Sequence, residues 1–290
     1  MSTPLTIALA PNSDTGLSNT DLVINQANVL LTGTGEVGDQ VHVYDGQQSI
    51  GTVVVQNDGT WQLQTTLVGT QQQHRVYAFV LEGEGKTTGF LEIHYDNQAG
   101  PAPVRPQFLN DPYDYEQVIR TRETEHILTG NVEPGARVTL YDGNQLIGTF
   151  DTTGTQWQLT VTGLSDGIHQ LTTITTDIAG NQSARSPALV LDVRTHVAAP
   201  LPQLDSASDT GASNSDHVTS ASRPWFSGST PDLALVSLLV NGVLVEAGGQ
   251  IGIDGLWNAI PTKPLDDGAY NISVIVRDIY GNTSLSLIHI

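Results

Sequence analysis

Cysteine is absent from the 290 residues, methionine occurs once, and lysine occurs only as Lys86 and Lys263. Without cysteine no disulfide supports the fold, so each core must hold on apolar burial alone. A chain exported unfolded gains from that absence, because every free thiol is a site for wrong pairing. With two lysines, side-chain crosslinks built on lysine are not a general stabiliser. No apolar run approaches the ~20 residues of a membrane-spanning helix, and no stretch keeps a helical period. Met1-Ser2-Thr3-Pro4 leads into a strand-like segment with no basic and then apolar run, so no signal peptide is read. Leu287-Ile288-His289-Ile290 stops in mid-strand, and both ends read as cut from something longer.

Basic residues are also scarce: 11 against 30 acidic, a formal charge of −19. Such a surface repels phosphate backbones, so no nucleic-acid partner is expected. Two readings of the acidity stay open, plain solubility and carboxylates that hold divalent cations. Only 14% of residues are charged, too few for a disordered acidic chain. Catalytic signatures are missing as well. There is no Gly-x-Ser-x-Gly elbow, no His-Glu-x-x-His pair among eight scattered histidines, and no phosphate-cradling glycine loop. An enzyme is not expected, and His169 reads as a strand-edge residue.

What the chain does have is repetition. An alternating strand runs into a turn dipeptide at Val41-His42-Val43-Tyr44-Asp45-Gly46, at Val138-Thr139-Leu140-Tyr141-Asp142-Gly143 and at Leu238-Leu239-Val240-Asn241-Gly242. Asp-Gly and Asn-Gly are strong hairpin signals. A tryptophan follows a glycine turn at Trp61, Trp157 and Trp257, spaced 96 and 100 residues apart. A third marker, Leu164-Ser165-Asp166-Gly167, returns as Leu265-Asp266-Asp267-Gly268, each leading to Asp177-Ile178-Ala179-Gly180-Asn181 or Asp278-Ile279-Tyr280-Gly281-Asn282. Markers that share a period define a repeat.

A repeat of this length with about seven short strands fits the immunoglobulin-type sandwich. The fold class expected is therefore all-β: three tandem immunoglobulin-like β-sandwich domains, 1–98, 99–195 and 196–290, forming an elongated rod. Proline-bearing linkers at Asn97–Pro103 and Thr195–Pro202 favour extension. In the middle repeat strands are expected near 104–109, 126–132, 136–142, 145–151, 156–162, 168–177 and 186–193. The three turn-following tryptophans read as core aromatics. Trp225 has no counterpart and reads as a surface contact.

Two acidic constellations recur. Ser13-Asp14-Thr15-Gly16-Leu17-Ser18-Asn19-Thr20-Asp21 returns as Ser208-Asp209-Thr210-Gly211-Ala212-Ser213-Asn214-Ser215-Asp216. Calcium takes six to eight oxygen ligands from carboxylates, amides and carbonyls, and Asp14, Asn19 and Asp21, like Asp209, Asn214 and Asp216, sit at one spacing. The alternative is an Asx-turn loop that solvates its aspartates. The middle repeat has Asp111-Pro112-Tyr113-Asp114-Tyr115-Glu116 there, so that site is expected to be lost. The second constellation follows from topology, because in such a sandwich the loop between the last two strands lies where the chain enters. That places Asp177 and Asn181 near Asp96, with Glu133 in a neighbouring turn, and Asp278 and Asn282 near Asp192, with Asp232. Converging carboxylates repel unless a cation binds them. The alternative is an ordinary β-turn.

The Ser-Asp-Thr-Gly-x-Ser-Asn-x-Asp loop, the Glu-Pro-Gly turn at Glu133, the Tyr-Asp-Gly hairpin, the Gly-x-x-Trp strand and Asp-Ile-Ala-Gly-Asn at Asp177 together resemble bacterial immunoglobulin-like repeats. These build giant non-fimbrial adhesins of the SiiE type, exported by type I secretion from Gram-negative bacteria. The resemblance spans all three repeats and is weakest at Glu82–Lys86 and Asp111–Glu116. It implies a monomeric stalk on the cell surface, with calcium at domain junctions and neighbouring repeats as partners. It also implies a distal tip on the full-length protein that meets a glycan or protein of the host surface. A module that binds a receptor through its own sandwich loops is the competing expectation.

Overall fold

The computed structural model describes residues 3–69, 72–81, 85–109, 117–199, 201–213, 215–230, 234–245, 247–251 and 255–289. The described residues form strands, turns and loops. Among the described residues twenty-four strands fall eight to a repeat. The first set is β1 (Ala8–Leu9), β2 (Val23–Ile24), β3 (Asn28–Thr34), β4 (Gln40–Asp45), β5 (Gln48–Val54), β6 (Thr60–Thr66), β7 (Gln73–Val80) and β8 (Leu91–Tyr95). They make two sheets, β1-β3-β6 and β2-β8-β7-β4-β5.

The middle set repeats that plan. It comprises β9 (Gln107–Phe108), β10 (Ile119–Thr121), β11 (His126–Asn131), β12 (Arg137–Asp142), β13 (Gln145–Asp151), β14 (Gln156–Val161), β15 (Gly167–Thr176) and β16 (Leu189–Val193). Its sheets are β14-β11-β9 and β10-β16-β15-β12-β13. Strand β10 was not legible in the sequence: three residues held by parallel pairing to β16 carry no alternation of their own. His169 is buried in β15, inside the sheet and away from either edge.

The third set departs from the plan. It comprises β17 (Gln203–Leu204), β18 (Phe226–Ser229), β19 (Leu235–Val240), β20 (Val243–Leu244), β21 (Ala247–Ile251), β22 (Leu256–Pro261), β23 (Asn271–Arg277) and β24 (Thr283–His289). The sheets are β17-β18-β22-β21 and β20-β19-β23-β24, with β24 at the edge among the described residues. Two compact units divide the chain, Met1–Leu109 with Leu128–Leu159 and Leu171–Leu189 in one, and Asn110–Ile127 with Thr160–Gln170 and Val190–Ile290 in the other.

Alternation puts one face of each sheet into a core. In the first sandwich Val41 and Val43 of β4 meet Val76, Ala78 and Val80 of β7 around Trp61. In the third, Leu238, Val240, Ile272 and Val274 surround Trp257 and Phe226. Each motif tryptophan is buried, at 0, 2 and 2% exposure for Trp61, Trp157 and Trp257, as expected for core aromatics. A glycine on the adjacent strand makes the room. Gly33 stands opposite Trp61 and Gly228 opposite Trp257. A Cβ on Gly33, Gly130 or Gly228 would lie 2.5, 2.6 or 2.8 Å from the indole, inside van der Waals contact. Trp225 is 47% exposed.

The hairpins correct one expectation. Asp45 pairs with Gln48 and Asp142 with Gln145, whereas in the third repeat Val240 pairs with Val243. The two aspartates thus end their strands, and the turn is carried by Gly46 and Gly143 at φ 60° and 54°, matched by Asn241 at φ 50°. The Asn-Gly of the third repeat is displaced by one position from the Asp-Gly of the others. Asp45 is buried and accepts hydrogen bonds from His74 Nδ1 at 2.6 Å and Val68 N at 3.0 Å.

Candidate functional site

The two Asp-Thr-Gly loops close through matching side-chain hydrogen bonds. Ser13 Oγ accepts from Leu30 N at 2.9 Å, and Ser208 Oγ from Trp225 N at 2.9 Å. Thr15 Oγ1 accepts from Asn25 N at 3.0 Å, and Thr210 Oγ1 from Ser220 N at 2.8 Å. Asp21 and Asp216 each take the amide two residues on, Val23 N and Val218 N, at 3.1 Å. Asp14 Oδ2 accepts from Leu22 N at 3.1 Å, and Asp209 Oδ2 from His217 N at 3.2 Å. The loop bends back through Leu22 and His217 at φ 61° and 60°, a left-handed conformation that side-chain-bearing residues adopt only when their surroundings enforce it.

One oxygen is left over in each loop. Asp14 Oδ1 and Asp209 Oδ1 are buried with no hydrogen-bond partner, in residues 7% and 6% exposed. Burial pushes the Asp14 carboxyl above its ordinary value, the Leu22 amide opposes that, and the nearby charge of Asp21 adds to it. A lone carboxylate oxygen out of water is costly until a proton or a cation reaches it. Asn19, Asp21 and Asp216 are exposed at the loop tips. Asn214 lies outside the described residues.

The Asp-x-x-Gly-Asn turns are equally alike. Asp177 Oδ1 accepts from Asn181 N at 2.8 Å and Oδ2 from Asn181 Nδ2 at 3.0 Å. Asp278 Oδ1 and Oδ2 take the same two groups of Asn282 at 2.8 and 3.0 Å. Gly180 and Gly281, at φ 94° and 87°, let the chain close. The second proton of each amide reaches the preceding sandwich: Asn181 Nδ2 donates to the Asp96 carbonyl at 2.8 Å, and Asn282 Nδ2 to the Arg194 carbonyl at 2.6 Å. These turns are therefore docking elements.

The surroundings of the two turns differ. Leu17 N, inside the first Asp-Thr-Gly loop, donates to Ile178 O at 3.0 Å, so the two constellations read separately in the sequence meet at one place. Glu133 and Asp177 line a cavity of about 260 Å³ beside Gly100–Val104, and Asp96 Oδ1 accepts from Gln98 N at 2.9 Å. Around Asp278 the corresponding places carry cations. Arg122 Nη1 donates to Gly281 O at 3.0 Å, Asp192 Oδ2 accepts from Tyr280 OH at 2.5 Å, and Arg194 Nε lies 3.4 Å from Asp192 Oδ1. Burial first, and then the Asp192 hydrogen bond, push the Tyr280 phenol upward. Asp232 lies outside the described residues. Among the described residues no three His, Asp or Glu side chains stand together as a metal-holding group. Arg122, Arg194 and Tyr280 escaped the sequence reading, because one copy of a contact gives no repeat to detect.

Three two-sheet modules of this topology, joined in tandem, define an immunoglobulin-like array. The family description "Bacterial Ig-like domain" matches residues 1–89, 118–195 and 196–289, and the chain belongs to that family. No curated protein matches the sequence. Solved structures that superpose on it include fibronectin(III)-like modules of Clostridium thermocellum, at 13% identity and TM-score 0.39, covering 65% of this chain and 94% of that one. Another concerns host cell surface retention of a 1.5-MDa bacterial ice-binding adhesin, at 18% identity and TM-score 0.34, covering 100% and 98%. A third is a tetra-tandem repeat in the extending region of a large adhesion protein, at 18% identity and TM-score 0.33, covering 99% and 73%.

Proposed function

We propose that the chain is a stalk segment of a bacterial cell-surface adhesin of the giant, type I-secreted kind. On this reading its sandwiches hold one another in tandem and carry a distal tip that attaches to a host surface. The role is mechanical and involves no catalysis. The observation that carries it is the repeated docking bond, an asparagine amide of each Asp-x-x-Gly-Asn turn on the carbonyl that ends the preceding sandwich. A linker left free would not place the same amide on the equivalent carbonyl twice.

Calcium is the proposed stiffener. The buried, unpartnered oxygens of Asp14 and Asp209 fit a hard cation, which would complete its shell from Asn19 and Asp21, from Asn214 and Asp216, and from loop carbonyls. Bound there, the ion supplies charge compensation for a carboxylate that burial disfavours. The junction residues Asp96, Glu133, Asp177 and Asn181, and likewise Asp192, Asp232, Asp278 and Asn282, are proposed as secondary ligands. The described carboxylates of Asp177, Asp192 and Asp278 already accept hydrogen bonds that an ion would have to displace. Calorimetric titration of the chain with calcium tests this. Heat of binding that shrinks with Asp14→Asn and with Asp209→Asn, and disappears in the double variant, is the expected result. Unchanged heat in the double variant would remove the loop sites and leave the stalk reading to stand on the docking bonds.

A further inference from the structure

The two Asp-x-x-Gly-Asn turns dock on sandwiches of different chemical character. Backbone bonds fix which residues correspond. Asp96 N donates to Ile24 O at 2.9 Å and Arg194 N to Thr121 O at 3.0 Å, so Arg194 stands where Asp96 stands, and Arg122 where Asn25 stands. In the first sandwich the neutral Asn25 is engaged by its own loop, its Oδ1 accepting from Thr15 Oγ1 at 2.8 Å. In the second, Arg122 Nη1 reaches the turn itself and donates to Gly281 O at 3.0 Å. The residue before the turn glycine changes in step. Ala179 is fully buried, whereas Tyr280 in its place donates its hydroxyl to Asp192 Oδ2 at 2.5 Å. Arg194 Nε lies 3.4 Å from the other oxygen of that carboxylate.

The linkers differ in the same sense. Counted on from Asp96 and Arg194, Ala99 and Val197 correspond. Val197 is buried and packs with Ala234 and Val276 of the third sandwich, and Ser284 Oγ donates to Ala198 O at 3.1 Å. In the middle sandwich the places of Ala234 and Val276 belong to Ala136 and Thr175, since Val138 stands opposite Thr175 as Val236 stands opposite Val276. Ala136 and Thr175 line the cavity of about 260 Å³ whose wall also carries Glu133 and Asp177. One junction is thus filled by an apolar plug and tied by a guanidinium. The other is open, with carboxylates on its wall.

We propose that the junction of the second and third sandwiches is a latch that carries its own cation. Arg122 supplies at the turn carbonyl the positive charge that a bound ion would otherwise supply. Tyr280 ties the turn to Asp192, and Val197 fills the space behind it. A guanidinium keeps its charge and its donors without any ligand, so the latch holds in chelator. Calcium held by Asp192 or Asp278 would add to a junction already closed. The inference rests on the tandem-docking reading and not on calcium. It gives the stalk two kinds of joint, one open to a ligand and one set when the chain folds.

Because the chain has no cysteine, two introduced ones are its only labelling sites. Spin labels on Gln145→Cys with Val243→Cys report the second junction, and on Gln48→Cys with Gln145→Cys the first; all three native side chains are exposed. Distance distributions are measured by pulsed electron resonance on the whole chain, in calcium and in EDTA. The second junction should keep its width in EDTA. Arg122→Ala removes one charge-assisted bond and should shift the closed-to-open ratio by about tenfold, broadening the distribution with and without calcium. Adding Tyr280→Phe should broaden it further. The Arg122 side chain is half-exposed, so near-ultraviolet circular dichroism should not change. Broadening of the second junction in EDTA with Arg122 intact would overturn the proposal, and so would an unchanged distribution in the double variant. If EDTA broadened neither junction while the double variant broadened the second, calcium would drop out of the first junction and the latch would be supported.

Discussion

Asp45→Ala should cripple the first sandwich although Asp45 sits beside a hairpin turn. Its Oδ2 accepts from His74 Nδ1 at 2.6 Å and from Val68 N at 3.0 Å, and His74 is 1% exposed. Truncation strands a buried ring nitrogen and a backbone amide. Each orphaned buried donor costs about 1–3 kcal/mol, so the pair should cost about 3 kcal/mol after partial rewetting, roughly a hundredfold in the opening equilibrium. Native-state hydrogen exchange resolves this by residue, where a single melting temperature for a multidomain chain would not. Amides of β4 and β7 should lose about two decades of protection while those of β19 and β23 keep theirs. Asp45→Asn retains an acceptor for Val68 and should lose markedly less. If Asp45→Ala left β4 and β7 protected, the buried pair would contribute nothing, and the aspartate would be the exposed turn residue that its Asp-Gly sequence suggests.

Gly228→Ala places a Cβ 2.8 Å from the Trp257 indole, and should destabilise the third sandwich by about 1–3 kcal/mol, the usual range for overpacking, read as lost exchange protection in β18 and β22. Because burial raises the Asp14 carboxyl, the folded state binds its proton more readily than the unfolded chain does. In chelator the Asp14 contribution to stability should therefore rise as pH falls through the window above 3.8, whereas with calcium present the trend should reverse; denaturant melts of wild type and Asp14→Asn separate the two. Asn282→Ala removes the 2.6 Å bond to Arg194 O and the bond to Asp278 Oδ2, and should speed exchange in the 278–282 turn by about five- to tenfold, leaving β23 protected. Tyr280→Phe frees Asp192 from its phenol partner; in the wild type one tyrosine should ionise above the others in an ultraviolet titration, and that late step should vanish in the variant.

The repeat, the all-β class and the three core tryptophans were open in the sequence because each is a local pattern. Alternation of Val41 and Val43 with His42 and Tyr44 fixes which face is buried whatever lies across from it. A tryptophan after a glycine turn can do little but fill a sandwich core. The matching Asp14 and Asp209 loops were legible for the same reason, since their hydrogen bonds close within about seventeen residues. The tertiary structure decided what depends on a partner far along the chain. Strand β10 exists only because β16 lies beside it. Asp45 reads as a turn residue until His74, twenty-nine positions on, takes its carboxylate. Arg122 meets Gly281 across 159 positions, a distance over which no spacing or period in a single sequence carries information, because the contact is set by how two finished sandwiches meet.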